Sequence, residues 1–517
     1  MARPTAIVIG AGAGGIGVAA RLAKNGFHVT VVEKNNSIGG RCSLLHHKDY
    51  RFDQGPSLLL MPELFEEIFE DLDTTLEKEY VELKKCNPNY RIWFPDQQTI
   101  DLSSDLTHMK HEVERFEGKQ SFARFLDFLR EAGHHYRLSV SLVLRSNFLS
   151  LWNMLRPNLL CSLCSLHPFE SIHSRASRYF RSRQLQQAFT FGSMYLGMSP
   201  FDAPATYSLL QYAEIVDGIW YPIGGFQTVL ESLARVGTRL GVQYRLNCPV
   251  STIKLSEDQR TAEGVVLRSG EVINADVVIV NADLTYAYNH LLPPSKYAKS
   301  LKSRQTSCSS ISFFWSLDTT IPALQNHNVF LAEEYRESFD AIFKELCMPA
   351  EPSFYVHVPN RLDPSASPEG KDAVVVLVPV GHLSGENGNI TSSTKYWDSV
   401  VTKARSQVLE IIERRTGVSD LNQKIIHEMI ETPLSWRSKY NLDRGAILGL
   451  SHSFFNVLSF RPRNRHADIN GLYFVGASTH PGTGVPICLA GSKLLSNIVS
   501  VPLANDSHRK MYHREHK

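Results

Sequence analysis

Four glycines near the start of the chain, Gly10, Gly12, Gly14 and Gly15, stand in the pattern G-x-G-x-x-G between two runs of different periodicity. Before them Thr5 to Ile9 is a short β-branched run, and after them Ala13 to Asn25 has the small and aliphatic spacing of a helix. In that context the first glycine permits a tight turn, the second lets backbone approach a pyrophosphate, and the third lets helix and strand pack closely. The anion then rests on the helix N-terminus. Glu33 closes a second strand pattern, Phe27 to Glu33, where a carboxylate accepts hydrogen bonds from both ribose hydroxyls and disfavours a 2′-phosphate. The chemistry so defined is dinucleotide binding, with FAD and NAD both open.

A second glycine cluster lies near the other end. Gly471 to Val475 reads as a strand, and Gly476, Thr479, His480, Gly482, Gly484, Val485 and Pro486 follow it before a helical stretch, Cys488 to Val499. Strand, glycine turn and helix start together make a nest of backbone N–H groups for anionic or electron-rich groups. His480 is the first candidate for a proton acceptor, since imidazole titrates near neutral pH; its other reading is a turn-shaping hydrogen bond. Trp436 and Tyr473 line a binding site or belong to the core.

These residues must be positioned by elements far apart in the chain. Strand signatures return at Gly264 to Leu267, after which Ser269-Gly270 marks a turn, at Asp276 to Asp283, and at Gly471 to Val475. The expected fold is therefore α/β, a Rossmann-type nucleotide domain assembled from discontinuous segments, residues 1–88, 205–302 and 425–503. Two long insertions form the substrate side. Residues 89–204 are expected to be mostly helical and membrane-facing, and residues 303–424 to carry a mixed sheet with strands Ser309 to Trp315, Ser353 to Val358 and Ala373 to Val380. Pro359 to Gly370 and Gly381 to Asn389 read as surface loops, and residues 504–517 as a polar tail.

The stretch from Val475 to Pro486 resembles the V-G-A-x-T-H-P-G-x-G-x-P motif of the phytoene desaturase type of carotenoid desaturase, within the flavin amine oxidase superfamily. Gly39-Gly40-Arg41 and Phe52-Asp53-Gln54-Gly55-Pro56 are similar to flavin-proximal segments of that superfamily. Met198 to Tyr207, Gly218 to Pro222, Cys308 to Ser312, Thr432 to Trp436 and Gly445 to Asn456 look like the fungal branch, so the resemblance runs from about Thr5 to about Ile498. It implies FAD as cofactor, held by the glycines, acid and C-terminal motif already named together with Gly39, Gly40, Arg41, Asp53 and Gly55. It also implies successive dehydrogenation of phytoene, a C40 hydrocarbon, to a lycopene- or didehydrolycopene-type polyene. Quinone or oxygen would reoxidise the flavin, with NAD as an alternative or secondary acceptor. Such a substrate has no polar handle, so recognition must rest on the shape of an apolar tunnel.

Composition excludes other classes. Across 517 residues, 54 basic against 52 acidic side chains leave a net charge of +2, which gives no field for nucleic acid. Eight cysteines are too sparse for a secreted disulfide scaffold, and the lone C-x-x-C pair, Cys161 and Cys164, lacks the second pair a zinc site needs, so no metal is expected. No apolar run reaches membrane-spanning length and no signal peptide is read, which places the protein inside the cell, soluble or lying on a membrane. Leu138 to Phe169 interleaves Leu, Phe, Trp and Met with Arg145, Arg156 and His167, as a monotopic contact or an ordinary amphipathic helix would. Two other functions fit the motifs: a related flavin oxidoreductase acting on another polyene, a terpenoid or an amine, and a flavin- and prenyl-lipid-binding protein without turnover.

Overall fold

A computed structural model describes residues 3–384 and 393–515. Its first sheet is five-stranded and wholly parallel, in the order Leu472–Phe474, Val277–Val280, Thr5–Ile9, His28–Val32, Gln243–Arg245. Strands from both ends and the middle of the chain therefore lie side by side. The hydrophobic run Ala6 to Ile9 is buried, as a strand covered on both faces must be. The helix Ala13–Lys24 packs on this sheet between the helix Gln227–Arg239 and the terminal helix Val485–Glu515.

Close approach of these helices is written in single residues. A Cβ on Gly17 would stand 2.7 Å from the Ser492 hydroxyl, so only glycine lets the terminal helix settle there. The buried guanidinium of Arg21 donates to the Leu489 carbonyl at 3.0 Å and ion-pairs with Asp71 at 2.7 Å, tying three segments together. Burial lowers its pKa, while Asp71 opposes that shift.

The second sheet has seven strands, ordered Ile425–Glu431, Ser309–Leu317, Ala373–Val380, Phe354–His357, His327–Phe330, Tyr90–Trp93, Thr99–Leu102. All pairs are antiparallel except His327–Phe330 with Tyr90–Trp93. Every residue of Ser309–Leu317 is buried, and its Phe313 and Trp315 share one core with the Val374 to Val380 run and with Trp397, Val408 and Ile412 of the helix Thr394–Thr416. The three strands expected from sequence are present here.

Two boundaries drawn from sequence divide this sheet. The insertion beginning at residue 89 opens not in helix but in Tyr90–Leu102, a hairpin that extends the second sheet; alternating Tyr90, Ile92, Ile100 and Leu102 face its core. Likewise Ile425–Glu431, grouped by sequence with the nucleotide segments, pairs with Ser309–Leu317. The rest of the first insertion is helical: Leu106–Glu117, capped by the Asp105 carboxylate, then Ser121–Ser139 running into a π-turn at Val140–Leu144, then Pro157–Leu166. None of the described helices is long and apolar enough to cross a membrane, so the membrane-facing character expected of this region has no spanning segment behind it. Residues 504–515 of the polar tail continue the terminal helix. The expected loop Gly381 to Asn389 lies, from residue 385 on, outside the described residues, as does the Cys164 side chain; Cys161 is a free, exposed thiol.

Candidate functional site

The first glycine turn has the geometry its spacing implies. Gly10 takes a φ of +100° at the end of the first strand, and a Cβ on Gly15 would stand 2.1 Å from the Gly10 carbonyl oxygen, so the helix can begin only with glycine there. Gly12 precedes the helix without a side-chain cap, which leaves the first helical N–H groups for a ligand. Glu33 is buried and accepts from the Ala11 N–H at 2.8 Å and the Asn35 N–H at 2.9 Å, fixing its carboxylate at the cavity edge with acceptor capacity to spare. Gly39 donates its N–H to the Ala11 carbonyl at 2.8 Å, and a Cβ on Gly40 would touch the Gly12 Cα at 3.4 Å. The Arg41 side chain lines the cavity, and no described carboxylate takes it up in an ion pair.

The C-terminal cluster is organised by a residue the sequence reading passed over. Arg461 is 1% exposed and has no carboxylate partner among the described residues; its guanidinium donates to the carbonyls of Leu450, Ser451, Asn456, Ala477 and Thr479 at 2.5–3.3 Å. It staples the turn after strand Leu472–Phe474 to the loop 450–456, and burial pulls its pKa down to about 10. Gly482, at a φ of +150°, leaves room for the His452 ring, since a Cβ would meet its Nε2 at 2.4 Å. The Thr483 N–H donates to that Nε2 at 3.2 Å, so Nδ1 of this buried, cavity-lining ring carries the hydrogen and lacks a protein partner.

Both clusters open into one cavity of about 750 Å³. One end is walled by Gly10, Gly12, Gly14, Glu33, Gly39, Gly40, Arg41, Gly55, Gly476, Thr479, Gly484, Val485 and Pro486. The other is apolar, lined by Tyr136, Val140, Leu144, Leu159, Leu166 and Phe454 among others, and leads towards the Leu138 to Phe169 segment. Trp436 lines it, whereas Tyr473 belongs to the core of the parallel sheet.

Four sequence-chosen residues stand behind the wall. Gly15 and Gly482 shape the turns from beneath, as just described. Asp53 is spent on structure: its carboxylate accepts from the Tyr221 hydroxyl and the Phe226 N–H, each at 2.7 Å, and it sits 3.5 Å from His357. His480 is 2% exposed and packs on Phe148; its Nε2–H donates to the Ser146 carbonyl at 2.8 Å, and burial holds its pKa down at about 4. It anchors the loop after the π-turn, and its ring forms no part of the cavity wall.

Two residues missed by sequence do line the cavity. Asn281, just past strand Val277–Val280, donates its side-chain amide to the Gly10 carbonyl at 3.1 Å, and a Cβ on Gly14 would meet its Oδ1 at 2.7 Å. Asp283 caps the next helical turn through the Tyr286 N–H, and burial lifts its pKa to about 6 despite nearby Arg41. The stretch Val-Val-Ile-Val-Asn-Ala-Asp carried the signal, a strand ending in an amide and an acid. One further group, Glu131, His135 and His167, brings metal-ligating atoms within 4.8 Å of one another. Two of its three members are already occupied, Glu131 by Arg175 and Tyr179, and His135 by Ser208 and the Ser165 carbonyl.

An uncapped helix start, a ribose-competent acid, a free guanidinium and a second nest facing them fit a bound dinucleotide, and the fold and site define a flavin-containing oxidoreductase. The family of flavin containing amine oxidoreductases matches residues 13–493. An oxidoreductase from Methanosarcina mazei, 16% identical, shares the fold at a TM-score of 0.62, over 95% of this chain and 100% of that one. The chain is 54% identical to the phytoene desaturase of Cercospora nicotianae, over 96% of this chain and 89% of the relative, and 56% identical to that of Neurospora crassa, over 95% and 83%. It belongs to the phytoene desaturase family, and FAD is its cofactor.

Proposed function

We propose that this enzyme desaturates phytoene in carotenoid synthesis, by successive dehydrogenations to a conjugated polyene. The observation that carries the reading is the single cavity, a polar glycine cradle at one end continuous with an apolar channel at the other. Such a channel suits a hydrocarbon recognised by shape, and it holds no cluster of carboxylates for an amine. Bound FAD supplies the two-electron acceptor. The backbone N–H groups around Gly10 to Gly14 and Arg41 would hold the diphosphate, Glu33 would hold the ribose, and Gly55 with Gly476, Thr479, Gly484, Val485 and Pro486 would border the rest of the flavin. Beyond that the protein aligns one saturated C–C bond and excludes water. His480 serves in this scheme as an anchor and not as the proton acceptor.

The channel is proposed to fill from a membrane surface inside the cell. Trp152 is 79% exposed, Phe169 83% and Phe455 72%, with Leu151 and Leu155 exposed beside them, in or next to the segment that walls the apolar end. Apolar exposure of this density, flanked by Arg145 and Arg156, suits an interface in which the side chains dip below the headgroups. Quinone or oxygen is the proposed final acceptor. Expression in a bacterium that accumulates phytoene tests the main reading: coloured polyenes in the extract support it, and unchanged phytoene beside a flavin-loaded protein overturns the substrate while leaving the family intact.

A further inference from the structure

The desaturation proposed above releases a proton as well as a hydride, and an apolar channel gives that proton few places to go. Among the polar groups on the cavity wall, one lies over a buried carboxylate. Tyr195 lines the cavity, yet its hydroxyl is buried and makes no hydrogen bond. Tyr355 lines the cavity too, and its hydroxyl shares a 2.7 Å hydrogen bond with Ser57, two residues beyond Gly55, which places this spot beside a cradle segment.

Behind Tyr195 lies Glu214, 1% exposed, on a π-helical turn Ala213–Asp217. Its Oε2 accepts from the Tyr90 hydroxyl at 2.7 Å, while its Oε1 has no partner. Further unsatisfied buried atoms lie close by: the Oδ1 of Asn89, whose Nδ2 donates to the Glu214 carbonyl at 2.6 Å, and both amide atoms of Gln211, which meets Gly192 beside Tyr195, besides the Tyr195 hydroxyl. Buried polar groups are ordinarily paired, and such a concentration in one place marks a functional chamber or a nest of internal water. π-turns recur at functional sites for a related reason, since the extra residue re-aims side chains inward.

We infer that Tyr195 and Glu214 form the proton exit of this reaction, Tyr195 at the channel wall and Glu214 as the acceptor acting through it. As one C–H bond yields its hydrogen and electron pair to FAD, the neighbouring C–H bond breaks and its electrons become the new π bond. Its proton passes to the Tyr195 oxygen while the phenol proton moves to the Glu214 carboxylate, directly or through one water, so charge and atoms balance without a further reactant. Burial raises the Glu214 pKa to about 8, against the opposing hydrogen bond from Tyr90 and the nearby Tyr195 hydroxyl. The facing phenols Tyr90 and Tyr195 are pushed well above their ordinary range, as is Tyr355 beside Tyr195, so Glu214 is the group of this spot that titrates near working pH.

The test compares FAD-loaded wild type with Glu214→Gln and Tyr195→Phe. Anaerobic mixing with phytoene, followed by flavin bleaching, is expected to give a wild-type rate that rises with pH through about 8 and then levels. Glu214→Gln should be roughly 10- to 100-fold slower with a flat profile, at unchanged KM, and Tyr195→Phe should slow bleaching while keeping the carboxyl. Infrared titration without substrate reads the carboxyl itself: a protonated-acid band that vanishes near pH 8 in wild type and in Tyr195→Phe, and is absent in Glu214→Gln. A Glu214→Gln protein with wild-type rate and profile overturns the proton exit, as does a band that vanishes in the ordinary carboxylate range. If Glu214→Gln fails to load FAD, the infrared titration and the Tyr195→Phe rate decide alone. A wild type that bleaches with no polyene at any pH overturns the substrate reading instead.

Discussion

At the residue scale, the glycines were the most readable part of the site, because a missing Cβ leaves a mark in any sequence while a contact across the fold does not. Gly15 follows from the local pattern, and its Cβ clash at 2.1 Å gives a direct expectation: Gly15→Ala loses FAD, read as a several-fold fall in the flavin-to-protein absorbance ratio, with about 1–3 kcal/mol of stability. Asn281 does the complementary work from a strand that only the folded sheet brings near, so spacing alone could not reveal it. Asp53 misled for the reverse reason: a motif places it beside a cofactor segment, but Tyr221 and the Phe226 N–H hold its carboxylate inward. For His480, the folded pKa near 4 lies below the ordinary 6.5, so the unfolded chain binds the proton more readily and stability falls as pH drops between those values. His480→Gln should flatten that acid limb, worth up to roughly 1.4 kcal/mol per pH unit, and keep turnover within a few-fold; thermal melts and product analysis check both halves.

At the scale of elements, the β-α-β unit at the start and the strand before the second glycine cluster were legible from period and punctuation. The hairpin Tyr90–Leu102 and the edge strand Ile425–Glu431 were not assigned to their sheet, because a short strand beside a long helical or glycine-rich stretch carries no label for its partner. Arg461 shows the same limit for a polar side chain. Replacing it with Met leaves five carbonyls without their donor, and the turn 477–479 should part from the loop 450–456. The expected result is a loss of at least about 4 kcal/mol and of bound FAD, measured by denaturant unfolding and flavin absorbance, with Arg461→Lys recovering only part because a single ammonium cannot reach all five.

For the whole molecule, sequence indicated a nucleotide fold built from separated pieces, and the parallel sheet has that construction. Exposed Trp152 and Phe169 lie in the stretch that the sequence marks as a candidate membrane contact; what it did not reveal is that exposed Phe455 belongs beside them, its neighbour Phe454 packing on Phe169 at 4.6 Å between ring centres. Joint replacement of Trp152, Phe169 and Phe455 by Glu is expected to release the protein from vesicles and slow turnover on phytoene held in bilayers, while turnover on detergent-dispersed phytoene persists; flotation and product yield test the pair of effects.

The interleaving of the parallel sheet also governs how the protein comes into being. Its central strand, Thr5–Ile9, is synthesised well before one side of the sheet can be completed, for Val277–Val280 follows about 270 residues later and the outer strand Leu472–Phe474 later still. Long-range pairing of this kind delays folding until most of the chain is available. Flavin capture is thus tied to synthesis of the chain past Gly476 to Pro486, and a chain terminated before that point carries a glycine fingerprint without the second wall of its cavity.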